Sequence, residues 1–117
     1  KITGFEQLIA WQKSQDLAVE VYKCTRDFPS DERFALTNQL RRSVNSVSAN
    51  IAEGFGRRSI KDKLHFYTIG YGSLLETKNF IYLSERLDYI SNETVSELVL
   101  EIVECQKLLN ALMRSLK

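Results

Sequence analysis

Proline is nearly absent from this chain and glycine is scarce, one and five residues respectively among 117. That scarcity excludes a chain of long loops or a disordered tail. Cysteine and histidine are equally rare: Cys24, Cys105 and His65 are all there is. Two thiols and one imidazole do not make a metal site, so no metal and no cofactor is expected. Both cysteines fall at apolar-face positions and read as reduced core residues, which points to the cytoplasm. No apolar run approaches the roughly 20 residues that cross a bilayer, no secretory signal is recognisable, and no membrane partner is expected. A large charge of one sign is also missing. The net charge is +1, so any surface for nucleic acid must be local. Strand-like alternation of useful length is absent as well.

What remains is helical periodicity. A first helix is expected from about Phe5 to Asp27, with Thr3 and Glu6 at capping-box spacing. Phe5, Leu8, Trp11, Leu17, Val21, Cys24 and Phe28 trace one face, and Pro29 ends it. A second helix runs from Phe34 or Leu36 to Gly54. Its stripe is Leu36, Leu40, Val44, Val47, Ile51 and Phe55, with Gly54 and Gly56 as C-terminal punctuation. The third, from Ser59 to about Leu87, has capping-box spacing at Ser59 and Asp62 and carries two stripes. One is Ile60, Leu64, Tyr67, Tyr71, Leu74 and Tyr82. The other is Phe66, Ile69, Phe80, Leu83 and Leu87. A surface helix needs only one stripe, so the second predicts cover from another copy. Gly70 and Gly72 each cost about 1 kcal/mol in a helix interior and, with Ser73, are expected to mark a close contact, within the bundle or between subunits. The fourth helix, from about Asn92 to Leu116 with Ser91 or Asn92 as N-cap, spaces Val95, Leu98, Ile102, Cys105, Leu109, Leu112 and Leu116 as a heptad seam. Short connections between four such helices predict an all-α, up-down-up-down antiparallel four-helix bundle, one domain over residues 1–117, assembling into a homo-oligomeric ring.

The second helix is chemically unusual. Asn38, Ser43, Asn45, Ser46, Ser48 and Asn50 crowd its middle, and such side chains compete for backbone hydrogen bonds. Two readings compete. In one, these groups line helix–helix or subunit contacts, with Asn50 and Glu53 hydrogen-bonding across. In the other, Arg41, Arg42, Arg57, Arg58, Lys61 and Lys63 bind nucleic-acid phosphates. Those six cations face only Glu53 and Asp62 between residues 41 and 63, a local +4 in a chain of +1.

The strings that carry identity are "FEQLIAWQKSQDLAVEVYKCT" (Phe5 to Thr25), then Phe28, Pro29 and Glu32, then "QLRRSVNSVSANIAEGFGR" (Gln39 to Arg57) and "GSLLE" (Gly72 to Glu76). On these the chain resembles the four-helix-bundle proteins encoded in intervening sequences of bacterial 23S rRNA genes, the S23 ribosomal protein family. It also looks like their relative, the accessory variability protein of diversity-generating retroelements. The resemblance covers nearly the whole chain. Gly70, where the family more often has Ala, and Ser48, near which it has Pro or a similar residue, are departures. The motif positions Asn50, Glu53, Gly54, Gly72, Ser73 and Glu76 are read as structural. The resemblance implies a homo-oligomer, a pentamer, without enzymatic activity. From the retroelement relative it implies a basic surface for nucleic acid and a reverse transcriptase partner.

Catalytic constellations do not emerge. His65 has no placed partner. Glu53, Asp62 and Glu76 do not form the Glu-x-x-His pairs of di-iron bundles. "GFGRRS" lacks the ending and the preceding strand of a phosphate loop. Tyr67, Tyr71 and Tyr82 read as core packing rather than as platforms for bases. The expected function is that of a non-enzymatic oligomeric protein binding RNA or DNA through its basic surface. The alternative is a structural adaptor acting through protein contacts, such as an accessory subunit of a reverse transcriptase.

Overall fold

The computed structural model describes residues 1–116. Among them are four α-helices and no strand: α1 (Ile9–Thr25), α2 (Leu36–Phe55), α3 (Ile60–Arg86) and α4 (Asn92–Arg114), with 3-10 turns at Phe5–Gln7 and Ser30–Glu32. They pack as a compact bundle in which α2 lies between α1 and α3, and α4 closes the square between α3 and α1.

Register shows in the contacts. Ser46 meets Ser73, Ser43 meets Thr77 and Gly70 lies against Asn50. Residue numbers rise along α2 as they fall along α3, the signature of antiparallel neighbours. Gln15 with Ser48 and Thr25 with Arg41 show the same for α1 and α2. Asn92 with Glu85 and Leu109 with Gly70 show it for α4 and α3.

The core follows the expected stripes in α2 and α4. Leu36, Leu40, Val44, Val47 and Ile51 are buried, as are Val95, Leu98, Ile102, Cys105 and Leu109. The third helix differs. Its buried face is Tyr67, Gly70, Ser73, Leu74, Thr77, Ile81 and Ser84, mostly small residues that let α2 approach closely. Ile60, Ile69, Tyr82, Leu83 and Leu87, expected in its stripes, are exposed in the single chain. Tyr82 is therefore not a core tyrosine, whereas Tyr67 is, and Tyr71 is half-buried.

Several local expectations are corrected. The chain enters through a 3-10 turn, so Phe5 and Leu8 precede α1. That turn puts Gln7, not Glu6, at the third position, where its Oε1 accepts from the backbone N–H groups of Thr3 and Gly4. Gly54 lies inside α2, and Gly56, which caps it, keeps right-handed angles. Neither supplies a left-handed turn. Gly54 is instead required by packing: a Cβ there would sit 2.6 Å from the Tyr67 ring. Gly72 faces open space, and a Cβ at that position would have nothing within 4 Å, so it marks no close contact inside the bundle. The expected caps hold at α3 and α4, where Ser59 Oγ accepts from Asp62 N and Ser91 Oγ from Thr94 N.

At one end of the bundle Glu32 joins three elements. Its carboxylate accepts from Leu36 N at the start of α2 and from the Tyr89 hydroxyl beyond α3, and that bond raises the Tyr89 phenol above its ordinary pKa. Phe28 packs on the same tyrosine ring at 5.2 Å. The turn between α3 and α4 is a Schellman motif, with Tyr89 N bonded to Ser84 O and Asp88 N to Glu85 O. Asp88 takes the left-handed position, φ 62°.

Candidate nucleic-acid interface

The six predicted phosphate ligands do not form one surface. Four of them, Arg57, Arg58, Lys61 and Lys63, gather at the tight α2–α3 turn, because only four residues separate the two helices. Arg41 and Arg42 lie between three and four turns back from the end of α2 at Phe55, about 20 Å along the helix at 1.5 Å per residue.

Within the turn the cations differ in freedom. Arg57 is held. Its Nη2 donates to Glu53 Oε2 at 2.8 Å, and its guanidinium lies 4.5 Å from the Phe66 ring centroid. Lys63 is committed to the protein: Nζ donates to Phe55 O at 2.7 Å, at the carbonyl end of α2, where the helix dipole favours a cation. Arg58 and Lys61 are exposed, and neither joins an ion pair among the described residues. Periodicity alone assigns Phe66 to a stripe. The antiparallel register across so short a turn is the signal that would have placed it under Arg57.

Arg41 turns toward α1. Its Nε donates to Thr25 Oγ1 at 2.8 Å and its guanidinium stacks 4.6 Å from the Tyr22 centroid. Arg42 is exposed and borders a groove of about 460 Å³ with Phe34, Ser46 and Glu76.

The serines of α2 find partners on the neighbouring helices. Ser46 Oγ and Ser73 Oγ are 2.8 Å apart, Ser43 Oγ and Thr77 Oγ1 2.9 Å, and Gln15 Nε2 donates to Ser48 Oγ at 3.0 Å. Asn50 and Glu53 do not reach across. Asn50 Nδ2 donates to Ser46 O and Oγ, and Glu53 serves Arg57, both within or just beyond their own helix. The reason is register: Asn50 lies over the small Gly70, which offers no polar side chain.

Negative charge collects elsewhere. Burial and the surrounding carboxylates of Glu20, Asp16, Glu104 and Glu97 push the Glu101 carboxyl above its usual range. The α1–α4 side is thus acidic where the α2–α3 turn is basic. The thiols of Cys24 and Cys105 are free, and burial raises both to about 11. Among the described residues no group of three or more His, Cys, Asp or Glu is placed to hold a metal ion, and no helix is long and apolar enough to cross a membrane.

The bundle has a solved counterpart. It matches the crystal structure of a protein of unknown function from the S23 ribosomal protein family of Bacteroides thetaiotaomicron VPI-5482, with a TM-score of 0.83 and 25% identity over 91% of this chain and 96% of that one. No curated protein matches. A family model described as 23S rRNA-intervening sequence protein matches residues 6–111. The chain belongs to the 23S rRNA-intervening sequence protein family.

Proposed function

We propose that this protein is a non-enzymatic, self-associating bundle that holds nucleic acid by its phosphates at the α2–α3 turn. The observation that carries this reading is the state of the cations there. Arg58 and Lys61 are exposed and unpaired among the described residues, beside an Arg57 fixed by stacking on Phe66. A preoriented guanidinium with two free cations suits phosphate oxygens and gives no base readout. Lys63, whose ammonium is committed to the Phe55 carbonyl, leaves the proposed set, as does Arg41, which lies toward the other end of α2, and Arg42 is a separate point of contact.

Self-association is supported by α3. Ile69, Leu83 and Leu87 are exposed and fall within about 40° of one another at 100° per residue. Ile60, Leu75 and Tyr82, also exposed, form a second flank within about 60°. Two such flanks suit a heterologous contact repeated around a ring, and the family resemblance argues for five copies. Unpaired cysteines fit a cytoplasmic protein.

The test is fluorescence anisotropy with labelled RNA and DNA duplexes across a salt series. Each contact contributes roughly −0.9 to the log–log slope on duplex DNA, so R57A/R58A/K61A should flatten the slope by about 2 to 3. A salt-independent affinity, or equal binding by the triple variant, removes the reading. The second reading is an adaptor, a reverse transcriptase accessory subunit among the options, that works through protein contacts. The acidic surroundings of Glu101 favour it, since an acidic face on one copy complements the basic turn of another. In that case the triple variant lowers the mass seen by light scattering and leaves no nucleic-acid affinity to lose.

A further inference from the structure

The other end of the bundle carries a second basic feature, which none of the α2–α3 turn residues enters. Where α1 ends and α2 begins, a pocket of about 230 Å³ is lined by Thr25, Arg26, Arg33, Thr37 and Arg41, among others. None of its three arginines forms an ion pair within 4.0 Å among the described residues. The nearby carboxylates form no ion pair with these arginines among the described residues. Glu32 is already bonded to Leu36 N and to Tyr89, while Asp27 and Asp31 are exposed and do not line the pocket.

Two details point to a ligand. Arg41 is fixed in place by its Nε bond to Thr25 Oγ1 and by the Tyr22 ring, while its terminal amino groups have no partner among the described residues. Thr37 is 8% exposed, and its hydroxyl is the buried side-chain polar atom that lacks a hydrogen bond among the described residues. A buried hydroxyl without a partner carries its full desolvation penalty, so native chains seldom keep one without a use. Thr37 also lies in the first turn of α2, where backbone N–H groups lack intrahelical acceptors and the dipole favours negative charge.

We infer that this pocket binds a phosphate group. Thr37 Oγ1 donates to it, Arg41 supplies the fixed guanidinium, and Arg26 and Arg33 offset its charge. The volume is below the roughly 300 Å³ at which pockets begin to enclose drug-sized ligands, so a sugar or base attached to the phosphate would remain outside. The inference goes beyond the α2–α3 reading and uses none of Arg57, Arg58 or Lys61.

The test follows thermal unfolding of the full chain in inorganic phosphate and in chloride at matched ionic strength, alongside Thr37→Val, Arg41→Gln and R57A/R58A/K61A. At a concentration about tenfold above Kd, phosphate should raise the wild-type Tm by roughly 4 °C or more. Thr37→Val should melt higher than wild type in chloride, because it removes an unpaired buried group, and yet lose most of the phosphate increment. Arg41→Gln should lose it too, and the triple variant should keep it. Salting-out by phosphate lifts all variants alike and cancels in this comparison. A second arm replaces inorganic phosphate with a short oligoribonucleotide lacking terminal phosphates. An increment with the free ion identifies a phosphate ion or monoester. An increment with the oligonucleotide alone, abolished by Thr37→Val, identifies a backbone diester. If wild type gains from neither ligand, or Thr37→Val keeps the wild-type increment with both, the inference is overturned.

Discussion

The contact between α2 and α3 and the packing face of α4 solve one problem with different chemistry. The α4 face buries Val95, Leu98, Ile102, Cys105 and Leu109 at heptad spacing, a seam of large side chains whose contribution scales with the apolar area removed from water. Between α2 and α3 the buried residues include the small Ser43, Gly54, Gly70, Ser73 and Thr77, and side-chain hydrogen bonds of 2.8 and 2.9 Å cross from Ser73 to Ser46 and from Thr77 to Ser43. The small residues of this seam let the backbones close in, and its cross-helix hydroxyl pairs form in one register only, since a shift of α3 along α2 would part Ser46 from Ser73 and Ser43 from Thr77. The α4 seam stabilises by burying apolar area, and the hydroxyl-lined seam selects the alignment.

The largest break in this comparison is Ile102→Ala. Ile102 is wholly buried, and truncation should cost about 2–5 kcal/mol in urea unfolding through lost transfer energy and the cavity left behind. A loss below about 1 kcal/mol would mean that the face collapses easily and is not a packed seam. Next is Gly54→Ala. Its methyl would meet the Tyr67 ring at 2.6 and 2.8 Å, and Tyr67, 1% exposed, has no free space to turn into. Overpacking of about 1–3 kcal/mol should outweigh the helix-propensity gain of roughly 1 kcal/mol. A more stable Gly54→Ala protein would show that the two helices do not approach so closely.

The two seams are unequally legible in the sequence. The α2 and α4 stripes can be read because Leu, Val and Ile at steps of three and four bury what their hydropathy says they should. In α3 the same reasoning selects large residues such as Ile69, Tyr82 and Leu83, which are exposed, and passes over Thr77 and Ser84, which are buried, while Ser73, expected with Gly70 at a close contact, is buried against α2. Hydropathy cannot find a face whose purpose is closeness, because small polar residues resemble solvent-facing ones until their partners on the next helix are known. The basic site is half legible for a similar reason. Charge counting groups six cations, but Lys63 is drawn to the α2 carbonyl end and Arg41 to Thr25 and Tyr22. The short α2–α3 turn brings Arg57, Arg58 and Lys61 together.

A smaller effect sharpens the register argument. Thr77 is wholly buried and its hydroxyl bonds Ser43 Oγ and Ser73 O. Thr77→Val keeps the shape and removes both bonds, at an expected cost of about 1 kcal/mol, because Ser43 retains Leu40 O as its acceptor. In a double-mutant cycle with Ser43→Ala the two losses should be less than additive. Full additivity would mean the hydroxyls act separately and do not define the seam.

The smallest effect sets two positions of one helix against each other. Gly70 faces α2, with Asn50 Cβ and Val47 O 3.5 Å from where its own Cβ would be, while Gly72 has nothing within 4 Å. In an isolated bundle Gly72→Ala should therefore gain about 0.5–1 kcal/mol, the propensity difference for an exposed helix interior. In a ring whose copies meet over the outer face of α3, the same methyl would intrude on a subunit contact, and stability and oligomer mass would fall together. Unfolding and light scattering on this one variant thus separate a glycine retained for closeness between copies from one retained for nothing the single bundle needs.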